Sequence, residues 1–404
     1  MKNNFYFKNS IQSKYLDKRT QKNFNKKFDK LISLISKDIS KMDNILNVLN
    51  KNYKFNFNFT ELSRFKNYKK IIVIGMGGSI LGAETIYEFL LNKIKKEFLF
   101  FDDLNDYKIY NAKKKIKSKA TLFLIISKSG NTVETISNLI FLKIIKKNSK
   151  NIIIISERKN NFLYSLVKRY NLFYIEHNKN IGGRYSVLSE VGIVPAFLMG
   201  VNIKKLRLNT KKYIDGKAKN FLKESSLKLA NLLKYRKYTN LIFLNYAPEL
   251  EKFLYWCQQL IAESLGKKRH GFLPIISNAP KDHHSLLQLY LDGPKDKLFH
   301  IFSLKEKVKT KIKINKISNQ MKFLNNKSIH QIKIAQKKAI TQIFKKKKIP
   351  YREIILKELN EETLGELFSY FILETIFVGK LIDINPFNQP AVEQVKISTK
   401  KILS

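Results

Sequence analysis

A single cysteine, Cys257, is all that 404 residues provide. That leaves no disulfide framework and too few thiols for a cysteine-based zinc site. No apolar run approaches the roughly 18 residues of a membrane span, and the opening MKNNFYFKNSIQSKY lacks the apolar stretch of a secretory leader. These absences point to a reducing, cytoplasmic home without a membrane partner. Arginine is scarce as well, at 9 of the 77 basic residues. The net charge of +45 invites a nucleic-acid reading, because basic side chains neutralise phosphates and release counterions. Forked contacts to bases and phosphates favour arginine, however. The lysines are scattered, no aromatic-interleaved RNA motif accompanies them, and Asn and Ile are abundant too, so a general compositional bias explains them. Solvated lysine-rich faces are expected and no nucleic-acid partner, with a field that draws anionic substrates in at low salt.

What is present suits a globular protein: 44% hydrophobic and 12% aromatic residues, over a length that accommodates two domains. Residues 1–62 read as a helical, lysine- and asparagine-rich lead-in. Between 63 and 202, apolar runs (KIIVI, EFLFF, TLFLII, NIIIIS, LFYIE) alternate with helical patterns. Residues 203–237 are charged and helical without strand signals, and read as a bridge. Alternation resumes over 238–404 with TNLIFLNY, GFLPII, KLFHIFSL and YREIIL, a long apolar helix at 361–381 and a basic helix after Pro390. A lysine-rich stretch near 305–330 reads as a surface excursion. The expected fold is α/β: two doubly wound parallel-sheet domains with helices on both faces.

Two strand-to-helix elbows stand out. GMGGSILG (75–82) follows KKIIVI. It fails the dinucleotide fingerprint, which wants Gly where Ile80 stands, and the Walker loop, which wants Lys where Ala83 stands. A phosphate elbow and a tight turn that needs its glycines for shape both remain open. SKSGNTVET (127–135) follows TLFLII and opens an amphipathic helix. Ser127, Ser129 and Thr132 supply hydroxyls, Lys128 a cation, and the helix N-terminus supplies unpaired N–H groups. A cap needs one hydroxyl, not three, which favours a phosphate or phosphosugar cradle.

Four further stretches can carry chemistry. IGGRYSVLSEVGIVP (181–195) presents Arg184 from a glycine turn, for an anion or for a surface salt bridge. YWCQQLIAESLGKKRHG (255–271) puts Gln259 and Glu263 on one helical face. Leu260, Ile261 and Leu265 around Glu263 are surroundings of the kind that raise a carboxylate's pKa toward a general base's range; by spacing alone an ordinary ion pair is the simpler reading. In NAPKDHHSLLQLYLDGP (278–294), adjacent Asp282, His283 and His284 diverge too far on a helix to share a metal, which leaves one histidine for proton transfer. INPFNQPAVEQVKIS (384–398) carries Gln389 and Lys396 two helical turns apart, with a solvent-facing lysine as the plain alternative.

The motifs GMGGSILGAE, SKSGNTVET, GGRYSVLSEVGIVPA, QQLIAESLGKKRHGFLP, DHHSLLQLYLDGP and NPFNQPAVEQVK, in this order from about residue 67 onward, resemble those of the glucose-6-phosphate isomerase family, built of two sugar-isomerase (SIS-type) domains. The resemblance implies interconversion of glucose 6-phosphate and fructose 6-phosphate, without metal or cofactor, in a homodimer with shared sites. It implies a phosphate cradle of Ser127, Lys128, Ser129 and Thr132, with Gly78 and Ser79 at the sugar. It makes Glu263 the proton-carrying base, Arg184 the cation for the enediolate oxygen, His284 the ring-opening residue, and Lys396 an assistant at the ring oxygen. Gln259 and Gln389 position substrate. The lead-in is shorter than usual in the family, and Asn388 and Ala391 stand where it has Asp and Gly. A mannose-phosphate or dual-specificity isomerase would share cradle and base; a non-catalytic sugar-phosphate sensor would not need Glu263.

Overall fold

The computed structural model describes residues 4–116, 120–305, 311–312 and 319–404. The ten strands among these residues are β1 (Phe5–Asn9), β2 (Lys70–Ile74), β3 (Glu97–Phe101), β4 (Thr121–Ile126), β5 (Ile152–Ser156), β6 (Phe173–Glu176), β7 (Asn240–Asn245), β8 (Leu273–Asn278), β9 (Lys297–Leu304) and β10 (Tyr351–Leu356). The apolar runs become strands because β-branched and aromatic side chains fit a pleat covered on both faces. All six residues of β4 and all five of β5 are buried.

The first sheet has the order β3-β2-β4-β5-β6, parallel throughout. This is a doubly wound order in which the chain reverses direction between β2 and β4, and ligands settle outside the carboxyl ends of strands at such a point. The register Lys70↔Thr121 to Ile74↔Ile125 brings the two elbows, at Gly75 and Ser127, to the same end. The second sheet has the order β1-β10-β9-β7-β8. Its four parallel strands repeat the winding of the first sheet, with the reversal between β7 and β9.

The lead-in departs from the helical expectation. The helix Lys18–Ser40 is there, capped by Asp17, which accepts from Thr20 N–H, but Phe5–Asn9 is a strand. It pairs antiparallel with β10, Phe5↔Leu356 to Asn9↔Arg352, because β10 would otherwise leave a row of backbone groups unpaired at the sheet edge. The 203–237 stretch is helical at Ile203–Leu206 and Lys219–Lys234. Its longer helix packs on the buried helix Glu361–Leu381. The lysine-rich stretch near 305–330 lies partly outside the described residues.

Helices fill the space between the sheets. Glu361–Leu381 contacts Lys18–Ser40, Lys219–Lys234 and Glu251–Leu265, and the last of these packs on Leu81–Phe89. Phe28 stacks on Phe377 at 4.4 Å and Trp256 meets Phe368 edge-on at 4.9 Å. One continuous apolar cluster runs from Ile71 and Leu122 of the first sheet to Leu241 and Phe302 of the second. A buried pair, Arg352 with Glu374 at 2.6 and 2.7 Å, ties β10 to the central helix.

Candidate active site

The elbow after β2 is a 3₁₀ turn, Gly77–Ser79, leading into Leu81–Phe89. Gly78 is buried against another backbone: a Cβ there would lie 2.2 Å from the carbonyl carbon of Gly183. Gly77 has φ +52°, and a Cβ on it would come 2.8 Å from Gln259 Nε2. Glycine is required at both positions, so that the elbow can touch the turn bearing Arg184 and the helix bearing Gln259. Ser186 Oγ fixes the contact by donating to the carbonyl oxygen of Gly78 at 3.2 Å. Ser79 stays partly exposed in the turn.

After β4, the hydroxyls converge. Ser127 Oγ lies 2.8 Å and Ser129 Oγ 3.4 Å from Thr132 Oγ1. Thr132 is the N-cap of Val133–Leu142, yet its side chain makes no capping bond. The first N–H groups of this helix therefore face the hydroxyl cluster without a side-chain cap from Thr132. Lys128 does not join them. Its ammonium donates to the carbonyls of Lys179 (2.8 Å) and Ile181 (2.9 Å) and sits 3.7 Å from Glu157. Burial pulls its pKa down, with Glu157 opposing. Its side chain thus anchors the loop that leads to Arg184.

Arg184 is 2% exposed, and its donors all find acceptors. Nε donates to Ser264 Oγ at 2.8 Å. Nη1 reaches Glu263 Oε2 at 3.1 Å and Gln389 Oε1 at 2.7 Å. Nη2 reaches the carbonyls of Pro386 (2.6 Å) and Asn388 (3.2 Å). A buried guanidinium is tolerated only when so completely satisfied. Glu263 receives Gln259 Nε2 on its other oxygen at 2.9 Å. Its surroundings differ from the expected apolar ones: Leu260, Ile261 and Leu265 turn into the core, whereas Glu263 keeps 32% of its side chain exposed and faces Arg184 and Gln259.

The cluster thus unites Arg184, Gln259, Glu263 and Gln389, touching the turn of Gly77 and Gly78. Two expected members stand apart. His284 is exposed at the end of the 3₁₀ turn Lys281–His284, beyond β8 at the sheet edge. Its neighbour His283 turns inward to Tyr246 OH at 2.8 Å, where burial lowers its pKa. Asp282 accepts from Asn278 N–H instead, so the three side chains diverge. Lys396 is exposed on the helix Glu393–Leu403, which has no buried residue, and pairs with Glu393 at 2.7 Å. Four participants were not legible in the sequence. Ser264, the Pro386 and Asn388 carbonyls and Lys267 enter through contacts between distant segments, and only their place inside the marked motifs hinted at them.

Among the described residues no helix is long and apolar enough to cross a membrane. Residues 32–404 match the family model for phosphoglucose isomerase. A relative from Methanococcus maripaludis, named "Probable glucose-6-phosphate isomerase", is 33% identical over 395 residues, 92% of this chain and 87% of its own. The glucose-6-phosphate isomerase of Methanocaldococcus jannaschii is 32% identical over 84% of this chain and 85% of its own. A solved structure from Thermus thermophilus, described as a hypothetical protein, superposes with a TM-score of 0.84 over 99% of this chain and 100% of that one; at 24% identity it speaks for the fold. With the family model spanning nearly the whole length and relatives above 30% identity, this chain belongs to the phosphoglucose isomerase family.

Proposed function

We propose that the cleft at Arg184 and Glu263 interconverts glucose 6-phosphate and fructose 6-phosphate. One observation carries this beyond family membership: a partly exposed carboxylate is held by a buried guanidinium and an amide, against the glycine elbow of Gly77 and Gly78. Moving a carbonyl between neighbouring carbons needs a base that takes a proton and returns it, and a cation where negative charge develops. In our reading, Glu263 is that base and Arg184 that cation. Gln389 shares Nη1 of Arg184 with Glu263, so an enediolate oxygen arriving there competes with a neutral amide oxygen, a favourable exchange for the guanidinium. Ser127, Ser129, Thr132 and the N-terminus of Val133–Leu142 take the phosphate, with Lys128 contributing through the loop it anchors. Gly78, Ser79, Gln259 and Gln389 orient the sugar. A remote anchor of this kind turns binding energy into alignment.

The proposal includes a homodimer with shared sites, in which His284 opens the sugar ring and Lys396 assists at the ring oxygen, both from outside the Glu263 cluster of their own chain. Their exposure supports this, as do Val395, Ile397, Ile402 and Leu403, left uncovered on the last helix. The division into domains at 63–202 and 238–404, joined by 203–237, and a cytoplasmic location belong to the same reading. The test is a coupled assay of the purified protein in both directions, with mannose 6-phosphate in parallel. Turnover of neither sugar would refute the isomerase reading, and equal turnover of the mannose ester would redefine it as dual specificity.

A further inference from the structure

Lys267 follows Gly266, where the helix Glu251–Leu265 ends. Its ammonium donates to the carbonyl of Glu263 at 3.0 Å and to that of Asn388 at 2.6 Å. The Asn388 oxygen also receives Arg184 Nη2, at 3.2 Å, so the two cations of the cleft share one acceptor. The loop they grip is the one that presents Gln389. Asn388 is itself exposed, so at this position the backbone oxygen, and not the side chain, makes the hold, beside the packing of Phe387 on Tyr185 and the Pro386 carbonyl's bonds to Arg184 and Tyr185. The bond depends on no particular side chain at position 388, which fits a chain carrying Asn there.

We propose that Lys267 is a positioning residue of the isomerase site, clamping the end of the helix that carries Glu263 to the loop that carries Gln389 and placing a second cation beside Arg184. The inference rests on the isomerase reading. When Glu263 takes a proton from substrate it loses its charge, while the substrate gains one; a second cation then steadies the enediolate, together with Arg184, at the moment the carboxylate no longer opposes it. The charged groups facing Lys267 are Arg184, from the turn after β6, and Glu263, on its own helix; His270 shares its turn through the backbone pair Lys267↔His270, and the 386–389 loop contributes carbonyls. Burial, and Arg184 after it, lower the Lys267 pKa to about 8, against the pull of Glu263. The clamp is therefore charged below pH 8 and loses its charge above it.

Wild type, Lys267→Met, Lys267→Arg and the neighbouring Lys268→Met are compared in fructose 6-phosphate turnover from pH 6 to 10. Inhibition by a five-carbon aldonate phosphate, whose carboxylate imitates the enediolate, is measured alongside. Lys267→Met should lower kcat about ten- to a hundredfold and weaken the aldonate by a similar factor, with KM for fructose 6-phosphate moved less than about threefold. Its alkaline fall near pH 8 should vanish. Lys267→Arg should recover most of kcat and carry the alkaline limb upward by more than a pH unit, since guanidinium keeps its proton. Lys268→Met should behave as wild type. Wild-type kcat in Lys267→Met, an equal loss in Lys268→Met, or an unmoved limb in Lys267→Arg would each overturn the clamp; the last decides the matter even if the Met variant does not fold. An inactive wild type would refute the isomerase reading instead.

Discussion

Glu263 is the residue on which the chemistry turns, and its environment shapes the outcome of its replacement. Glu263→Gln keeps the acceptor for Arg184 but cannot take a proton, so kcat should fall by roughly 10²–10⁴. Exchange of the carbon-2 proton with solvent should disappear in parallel, and retained exchange would point to another base. The cradle should answer differently. Thr132 Oγ1 is the hub to which Ser127 and Ser129 converge, so Thr132→Val should raise KM for the sugar phosphate about tenfold while leaving kcat within a few fold. An unchanged KM would move the phosphate to the other elbow. Lys128→Met is expected to act through kcat as well, since its ammonium holds the carbonyls ahead of Arg184 and lies away from the hydroxyls.

At the scale of elements, the loop between β6 and the Arg184 turn contains a pH-sensitive joint. His177 is 1% exposed, with Nδ1 2.9 Å from the carbonyl of Asn178. Burial lowers its pKa from 6.5 to about 4, and Lys128 adds to the shift. The unfolded chain takes up the proton near pH 6.5 and the folded one only near 4. The contribution to stability is therefore fully present above 6.5 and is lost as pH falls through that window. Melting temperatures of wild type should drop between pH 6.5 and 4 more steeply than those of His177→Phe; parallel curves would show that His177 titrates normally. Such joints were invisible in the sequence, whereas most strands were plain. TLFLII and IIIIS are strands wherever a chain buries them, and the two elbows are marked by glycines and hydroxyls that act locally. Phe5–Asn9 carries no such mark, because it is a strand only through its partner β10. The grip of Lys267 on Asn388 is equally hidden, since it joins a side chain to a backbone oxygen far along the chain.

For the molecule as a whole, the separation of His284 and Lys396 from Glu263 makes a test of assembly possible. If each site combines Glu263 of one chain with His284 of the other, Glu263→Gln and His284→Ala homodimers each hold two damaged sites. After subunit exchange, every mixed dimer has one site with both defects and one intact. Activity should climb toward roughly a quarter of wild type at random pairing. Exchange verified with differently tagged chains and no regained activity would place His284 within its own subunit's chemistry or outside the reaction.

The edge strand β1 carries a consequence for how the chain comes to be made. Its partner, β10, is synthesised almost at the other end of the sequence. At about 5–20 residues per second, on the order of tens of seconds pass between the emergence of one and the other. The sheet of β2 to β6 has its whole complement of strands by then, while β1 still waits as a free, strand-competent segment on the ribosome. Its setting among lysines and asparagines, at KNNFYFKNS, lets it wait without pairing to a neighbouring nascent chain, as charged flanks do elsewhere. Docking of β1 is thus the closing event of the second sheet, and a segment made well before its partner is among the last to find its place.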